Sequence, residues 1–359
     1  MKFRVRGAVV ALVVACAASS AAAWPRYGVV LLDRAADAVS AQALGLNDTG
    51  LVVGTESTGG GVDTDRAVVW DVAHGGRRVL GEPGAWALAV NDAGIAVGFG
   101  RQAGRSTPVA WLADGSARWF ELPSRRQSQP PYAPAINAAG VAVVQAAMAW
   151  RWVPETAAQT ALPDLPGGGL LPKNFVLAIN AVGDAAGGGT VTSAGQARRH
   201  AAIFRADGSL VDLGVLPGDA TSVATAINDR GDVVGESSGT GAYRSFLWSA
   251  AQGLVDLSAQ TPCGGDKTLH TPLGITEAGV VLGECLSPEG VGSAGYLLWQ
   301  AGEPLAFLRD LIDYDGPPAD LGTLILFALN ESGAIVGSIR TATGSHAVLL
   351  VPRADPVRR

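Results

Sequence analysis

The stretch Ala226-Ile227-Asn228-Asp229-Arg230-Gly231-Asp232-Val233-Val234-Gly235 decides the fold, because its skeleton returns along nearly the whole chain. An apolar residue, then Asn-x-x-Gly, then a short apolar run recurs at Asn47, Asn91, Asn137, Asn180 and Asn330, with Thr276 once in the Asn place. Successive spacings are 44, 46, 43, 48, 48 and 54 residues. A period of that size accommodates one small antiparallel sheet per repeat, and seven such sheets suit a ring of blades.

Four strands are legible around Asn228. Residues 222–227 form a first apolar strand. Asn228 to Gly231 is a tight turn, because Asn accepts a hydrogen bond from its own backbone and Gly takes positive φ at no steric cost. A type I turn followed by a glycine bulge is the hairpin that this spelling predicts. Residues 232–236, 244–248 and 254–257 supply the other three strands, with no helical periodicity between them. The third strand recurs as Arg66-Ala67-Val68-Val69-Trp70, Pro108-Val109-Ala110-Trp111, His200-Ala201-Ala202-Ile203-Phe204, Gly295-Tyr296-Leu297-Leu298-Trp299 and His346-Ala347-Val348-Leu349-Leu350. A degraded copy reads Ala146-Ala147-Met148-Ala149-Trp150. Consecutive rather than alternating apolar residues imply burial on both faces, and the bulky strand end reads as packing between blades.

The chain ends predict closure. The last repeat lacks a fourth strand, while residues 27–33 precede the first hairpin and read as an orphan fourth strand. The expected fold is therefore all-β, a seven-bladed β-propeller of four-stranded antiparallel blades over residues 24–353, closed by pairing the N-terminal strand with the last blade. The alternative is an open β-repeat array.

Residues 1–23 differ in kind. Lys2, Arg4 and Arg6, an apolar stretch over 7–15 and Ala21-Ala22-Ala23 have the layout of a secretory signal peptide, too short to remain as a membrane span. Val13-Val14-Ala15-Cys16 offers a rival, the lipobox of a lipoprotein anchored through Cys16. Secretion or periplasmic location is the expectation. Cleavage after Ala23 takes the formal net charge from −6 to −9. Arginines are scattered and no basic stripe is present, which argues against nucleic acid. No transmembrane helix is expected in the mature chain, and a monomer is. Of the cysteines that remain, Cys263 and Cys285 flank one hairpin of the sixth repeat, and an oxidising compartment makes a disulfide between them plausible. A short tail, 354–359, ends the chain.

The unit Ala-Ile-Asn-x-x-Gly-x-Val-Val-Gly, then Arg/His-Ala/Ser-Phe-Leu-Trp, then Val-Asp-Leu-Gly resembles the HAF family of extracellular bacterial repeat proteins. The resemblance is closest at residues 226–235 with 244–248, and at 210–218. It departs at Arg66, Arg244 and Gly295, where His is expected. It implies export and a propeller-like architecture, and no activity or catalytic residue.

Motifs that carry chemistry are few. Gly235-Glu236-Ser237-Ser238-Gly239 matches a nucleophile elbow in spelling, yet falls in a strand-to-strand loop without the strand-turn-helix context. Gly98-Phe99-Gly100 and Gly167-Gly168-Gly169 lack a βαβ unit. Asp63/Asp65 and Asp313/Asp315 are fragments of a calcium loop with too few ligands. His74, His200, His270 and His346 lie in four repeats, with no metal-ligand spacing. Arg66, His200, Arg244 and His346 share one repeat position, and a ring of basic groups there would suit an anionic ligand such as an acidic sugar. The plainer alternative is that each pairs within its own blade. No cofactor, metal or catalytic group is expected. Long, divergent loops after the second strands share one face, where binding sites on rigid scaffolds reside. The expected role is an exported non-catalytic binding or structural module for a glycan or protein; the alternative is an envelope hydrolase or lyase acting on carbohydrate.

Overall fold

The computed structural model describes residues 24–122, 131–167, 174–193, 195–239, 243–263, 268–286, 295–314, 316 and 319–353. The signal-peptide and Cys16 readings, the tail at 354–359, Asp315 and two of the three glycines at 167–169 lie outside them.

The chain is all-β. Five repeats form five separate four-stranded antiparallel sheets in up-and-down order. Their innermost strands are Trp86–Val90, Tyr132–Ile136, Phe175–Ile179, Thr221–Ile227 and Thr268–Ile275. The first and last repeats depart from the expected separate blades. The first repeat's strands, Ser40–Leu46 to Gly76–Leu80, and the last repeat's, Ala319–Leu329 to Gly344–Arg353, belong to one nine-stranded sheet. A single parallel bridge, Ser40 to Ser345, joins the two halves. Arg26–Leu31 lies antiparallel to Gly344–Arg353, with Arg26 opposite Arg353 and Leu31 opposite Val348. The N-terminal strand thus takes the fourth place in the last repeat. It ends before Asp33, whose carbonyl instead accepts the Trp70 indole N–H at 2.6 Å.

The Asn-x-x-Gly turns have the geometry that their spelling predicts. In the second repeat Gly94 N–H donates to Asn91 O and Asn91 N–H to Ile95 O, a type I turn closed by a glycine bulge. Gly94 holds φ at 78° and its counterpart Gly231 at 81°, where a β-branched side chain is strained.

A second glycine, four residues later, has a different reason. Each innermost strand carries a pairing irregularity just before its turn, for instance between Ala43 and Gly45 and between Ala224 and Ala226. That bulge folds a first-strand carbonyl onto the residue opposite. A Cβ on Gly54, Gly98, Gly187, Gly235 or Gly337 would run into the carbonyl oxygen of Gln42, Trp86, Phe175, Val223 or Ile325. In these five repeats the run ends in Gly because a Cβ has no room there; the third repeat carries Val144 at the same position.

Among the described residues seven clusters of buried apolar side chains fill the seams, each drawing on two neighbouring repeats. One of them joins Ala41, Val52 and Trp70 of the first repeat to Ala334, Val336 and Leu349 of the last. The bulky third-strand ends, Trp70, Trp111, Phe204 and Leu350, are buried in these seams. Removing such a side chain to Ala costs about 3–5 kcal/mol. In the third repeat the third strand is Ala149–Val153, three residues beyond the expected 146–150. Ala146 N–H donates to Met148 O, closing a minimal connection, so Trp152 rather than Trp150 occupies the buried strand end.

Candidate functional site

On one face the innermost turns are tied to each other by their Asn side chains. Each Asn Oδ1 accepts from the backbone N–H four residues on, as Asn47 does from Leu51 at 2.8 Å. Its Nδ2 then donates to the backbone carbonyl of the Asn-position residue in the next repeat. The links run Asn47 to Asn91 at 2.9 Å, Asn91 to Asn137 and Asn137 to Asn180 at 3.0 Å, Asn180 to Asn228 at 2.9 Å and Asn228 to Thr276 at 3.1 Å. Asn330 donates to Asn47 at 3.0 Å. Thr276 keeps the acceptor half, its Oγ1 taking the Val280 N–H, but has no amide to pass on. An Asp would serve the turn equally well; the amide is required by the seam.

The acidic residue that follows Asn47, Asn91, Asn228, Thr276 and Asn330 adds a second tier. Asp92 accepts from Asp48 N–H, Asp229 from Ala181 N–H, Glu277 from Asp229 N–H, Glu331 from Glu277 N–H and Asp48 from Ser332 N–H. Three of these carboxylates, Asp48, Asp92 and Glu331, line a shallow depression of about 210 Å³. Burial and the neighbouring Glu277, Asp48 and Asp229 push the Glu331 carboxyl above its ordinary range. Each acid here is occupied by a backbone N–H, so the tier is a structural collar.

The four residues of the basic position are each engaged locally, and no hydrogen bond or ion pair joins any two of them. Arg66 grips Asp37 at 2.8 and 3.0 Å and holds its carboxyl below the ordinary range. His200 Nδ1 meets Asp212 at 2.9 Å. Arg244 lies between Asp256 at 2.8 Å and Asp219 at 2.9 Å. His346 Nε2 contacts Thr343 Oγ1 at 2.9 Å, and burial with Arg34 nearby keeps its pKa low. Ser237 of the elbow-like motif is not in a loop, as its spelling suggests, but in the second strand Val233–Ser238, buried, its Oγ accepting from Leu216 N–H at 3.0 Å. Cys263 and Cys285 form a disulfide, their Cα atoms 6.1 Å apart. Of the calcium-like pairs, Asp65 accepts from the Trp86 indole at 3.0 Å, Asp63 pairs with Arg101 and Asp313 with Arg26.

The opposite face brings together a group that spacing could not reveal. The first strand of the sixth repeat has a register shift found at the common position and a further one between Leu269 and Thr271. Such a bulge re-aims a side chain, and the bulged residue is His270. It is 8% exposed. Its Nδ1 lies 2.9 Å from Thr271 Oγ1 and 4.0 Å from Glu236 Oε1, while Nε2 is buried without a hydrogen-bond partner. Burial lowers its pKa, against the opposing pull of Glu236 and Glu284. The exposed Tyr243 ring stands 5.0 Å from the imidazole. Glu284 pairs in register with Tyr296, and Tyr296 borders a cavity of about 350 Å³ walled by Leu308, Ile312, Leu321 and Leu324. An aromatic and carboxylate track therefore crosses the fifth to seventh repeats. Its sequence signal was visible: the residue after the second glycine is Glu236 and Glu284 here, but Thr55, Phe99, Gly188 and Ser338 elsewhere.

No protein-family model matches the chain, and no curated protein matches it in sequence. Its structure is similar to solved β-propellers. The propeller domain of the Trilobed protease from Pyrococcus furiosus, described as having an open velcro topology, superposes with a TM-score of 0.58 at 9% identity, over 88% of this chain and 95% of that one. Virginiamycin B lyase from Staphylococcus aureus gives 0.53 at 10% identity, over 91% and 100%. Acylaminoacyl peptidase from Pyrococcus horikoshii gives 0.51 at 10% identity, over 89% of this chain and 53% of that one. At such identities the likeness establishes a propeller-like fold and nothing about activity. Among the described residues no helix is long and apolar enough to cross a membrane.

Proposed function

We propose that this chain is an exported seven-bladed β-propeller, closed on its N-terminal strand and related to the HAF repeats, that binds a glycan on the face opposite the Asn turns. Closure is supported by the pairing of Arg26–Leu31 with Gly344–Arg353, by the Asn330 to Asn47 link and by the seam that joins the first and last repeats. Export is supported by the leader-like residues 1–23 and by the disulfide. The glycan reading rests on one observation. Tyr243, His270, Glu284 and Tyr296 put aromatic surface and hydrogen-bonding groups side by side, and the first, fourth and seventh repeats carry Thr55, Gly188 and Ser338 at the Glu284 position. Sugar rings present both a C–H face for an aromatic ring and hydroxyls for carboxylates.

A glycan array probed with the protein tests this. Binding is expected, weakened about tenfold in Tyr243→Ala and in Glu284→Gln. Binding that both variants retain in full would sink the placement. Deleting 24–33 is expected to unfold the protein while deleting 354–359 is not; equal effects would break the closure reading.

A second reading, an envelope lyase or hydrolase acting on carbohydrate, is favoured by His270, whose Nδ1 faces a carboxylate and whose Nε2 is unpartnered. With the proton on Nδ1, Nε2 keeps a lone pair that could act as a general base, which a substrate reaches only by displacing what buries it. Release of new reducing or unsaturated ends from a bound glycan, lost in His270→Gln, separates the two readings.

A further inference from the structure

The seam between the first and second repeats holds a cavity of about 310 Å³, half open to solvent on the Asn-turn side of the molecule. Its walls include Leu51, Val69, Leu80, Val90 and Trp111, with Arg78 at its edge. That volume falls in the range of small-molecule pockets, about 300–1,000 Å³.

The void has an origin in the repeat. Arg78 stands opposite Val69 in the fourth strand, as Val211 stands opposite Ile203. Val211 packs into the apolar seam that follows the fourth repeat. An arginine at that position cannot leave its guanidinium in such a seam unpaired. Arg78 is exposed, and its Nη1 reaches towards the second repeat's turn at Gly115. The apolar space that a valine would have filled stays open behind it.

The charges around the cavity are unevenly satisfied. Arg77 holds the fully buried Glu56, its Nε 2.8 Å from Oε1. Asp71 accepts from the His74 backbone N–H at 3.0 Å and meets its ring nitrogen at the same distance. Arg78 alone has no hydrogen bond or ion pair among the described residues.

We infer that this cavity binds a small monocarboxylate with an apolar body. The body fills the space against Trp111, and the carboxylate takes the fork of Arg78. Apolar voids stay dry and accept apolar guests, and a guanidinium pairs with carboxylate through two parallel hydrogen bonds. This site is separate from the glycan face and does not depend on it.

Titration of the protein with benzoate, followed by backbone amide shifts, tests the assignment. Saturable shifts are expected at Leu51, Val90 and Ala113, with benzyl alcohol binding about tenfold more weakly. Arg78→Gln should weaken benzoate about tenfold and leave benzyl alcohol unchanged. Arg78→Val, which installs the fourth repeat's residue, should abolish both. Absence of benzoate shifts up to its solubility limit, shifts confined to other seams, or equal benzoate affinity in Arg78→Gln would each overturn the site. Should Arg78→Val fail to fold, the comparison of the two probes in Arg78→Gln still decides.

Discussion

The fifth and sixth repeats are neighbours written on one template, and they are held by different means. The fifth ties itself to both sides with hydroxyls and an amide. Ser222 Oγ accepts from Ala201 N–H at 2.7 Å, Ser245 Oγ donates to Leu269 O at 2.9 Å, and Asn228 reaches Thr276 O at 3.1 Å. The sixth has Thr276 where the amide should be and donates no such bond to the seventh. It carries instead a covalent tie, Cys263 to Cys285, beside the bulge that holds His270. A repeat that departs from the template at three points shows where a fold of near-identical units has been modified. In this chain those departures also mark the one buried imidazole with a vacant nitrogen.

The comparison can be broken most severely at the disulfide. Replacing both Cys263 and Cys285 by Ser should destabilise the protein by about 3 kcal/mol, since the bridge spans a separation of 22 residues. Chemical denaturation of the double variant measures this, and local hydrogen exchange should rise at Leu269 more than in the fifth repeat.

Next comes the amide. Asn228→Asp preserves the turn acceptor for Asp232 N–H but removes the donor to Thr276 O and sets a charge against a carbonyl. A loss of about 1–3 kcal/mol is expected. The converse change sharpens the contrast. Thr276→Asn should restore the missing link to Asn330 and raise stability by about 0.5–1 kcal/mol, within the range of one hydrogen bond. Destabilisation by this change would mean that the seam between the sixth and seventh repeats cannot accept the template geometry.

The smallest effect belongs to the collar. The Glu331 carboxyl is raised in the folded state, so its neutral form is favoured there. Its stabilising contribution is complete below the unfolded value, near 4.3, and is lost as pH rises through the raised folded one. Glu331→Gln should thus gain a few tenths of a kcal/mol at neutral pH and nothing near pH 3, and added salt should shrink the gain. Thermal melts of both proteins across that pH range check the sign.

Much of this was legible in the chain. Asn-x-x-Gly gave the hairpins, and consecutive apolar residues gave strands packed on both faces, because turn chemistry and burial pattern are local. The third repeat misled because its second and third strands end early, turning between Gln145 and Ala149, whereas the second repeat carries them on to Gln102 and Arg105 and the seventh to Thr341 and Gly344. The Asn side chain was legible for its turn, where its Oδ1 accepts a backbone N–H, but not for the bond its amide donates. Turn chemistry accepts Asn and Asp alike, so the repeated choice of Asn pointed to a second duty, one performed for the neighbouring repeat. The second glycine behaves similarly: its neighbour is a carbonyl on another strand, brought close by a bulge that no single repeat announces.

The sequence by itself determined the repeating hairpin, the strand count per unit and the complementary chain ends, since these follow from backbone preferences and apolar pattern within one repeat. Only the tertiary structure decided that Asn side chains bridge the seams, that Arg78 leaves a void behind it and that His270 meets Glu236 and Tyr243. Those contacts join residues from different strands or different repeats, and their distances depend on how sheets stack, which no local preference encodes.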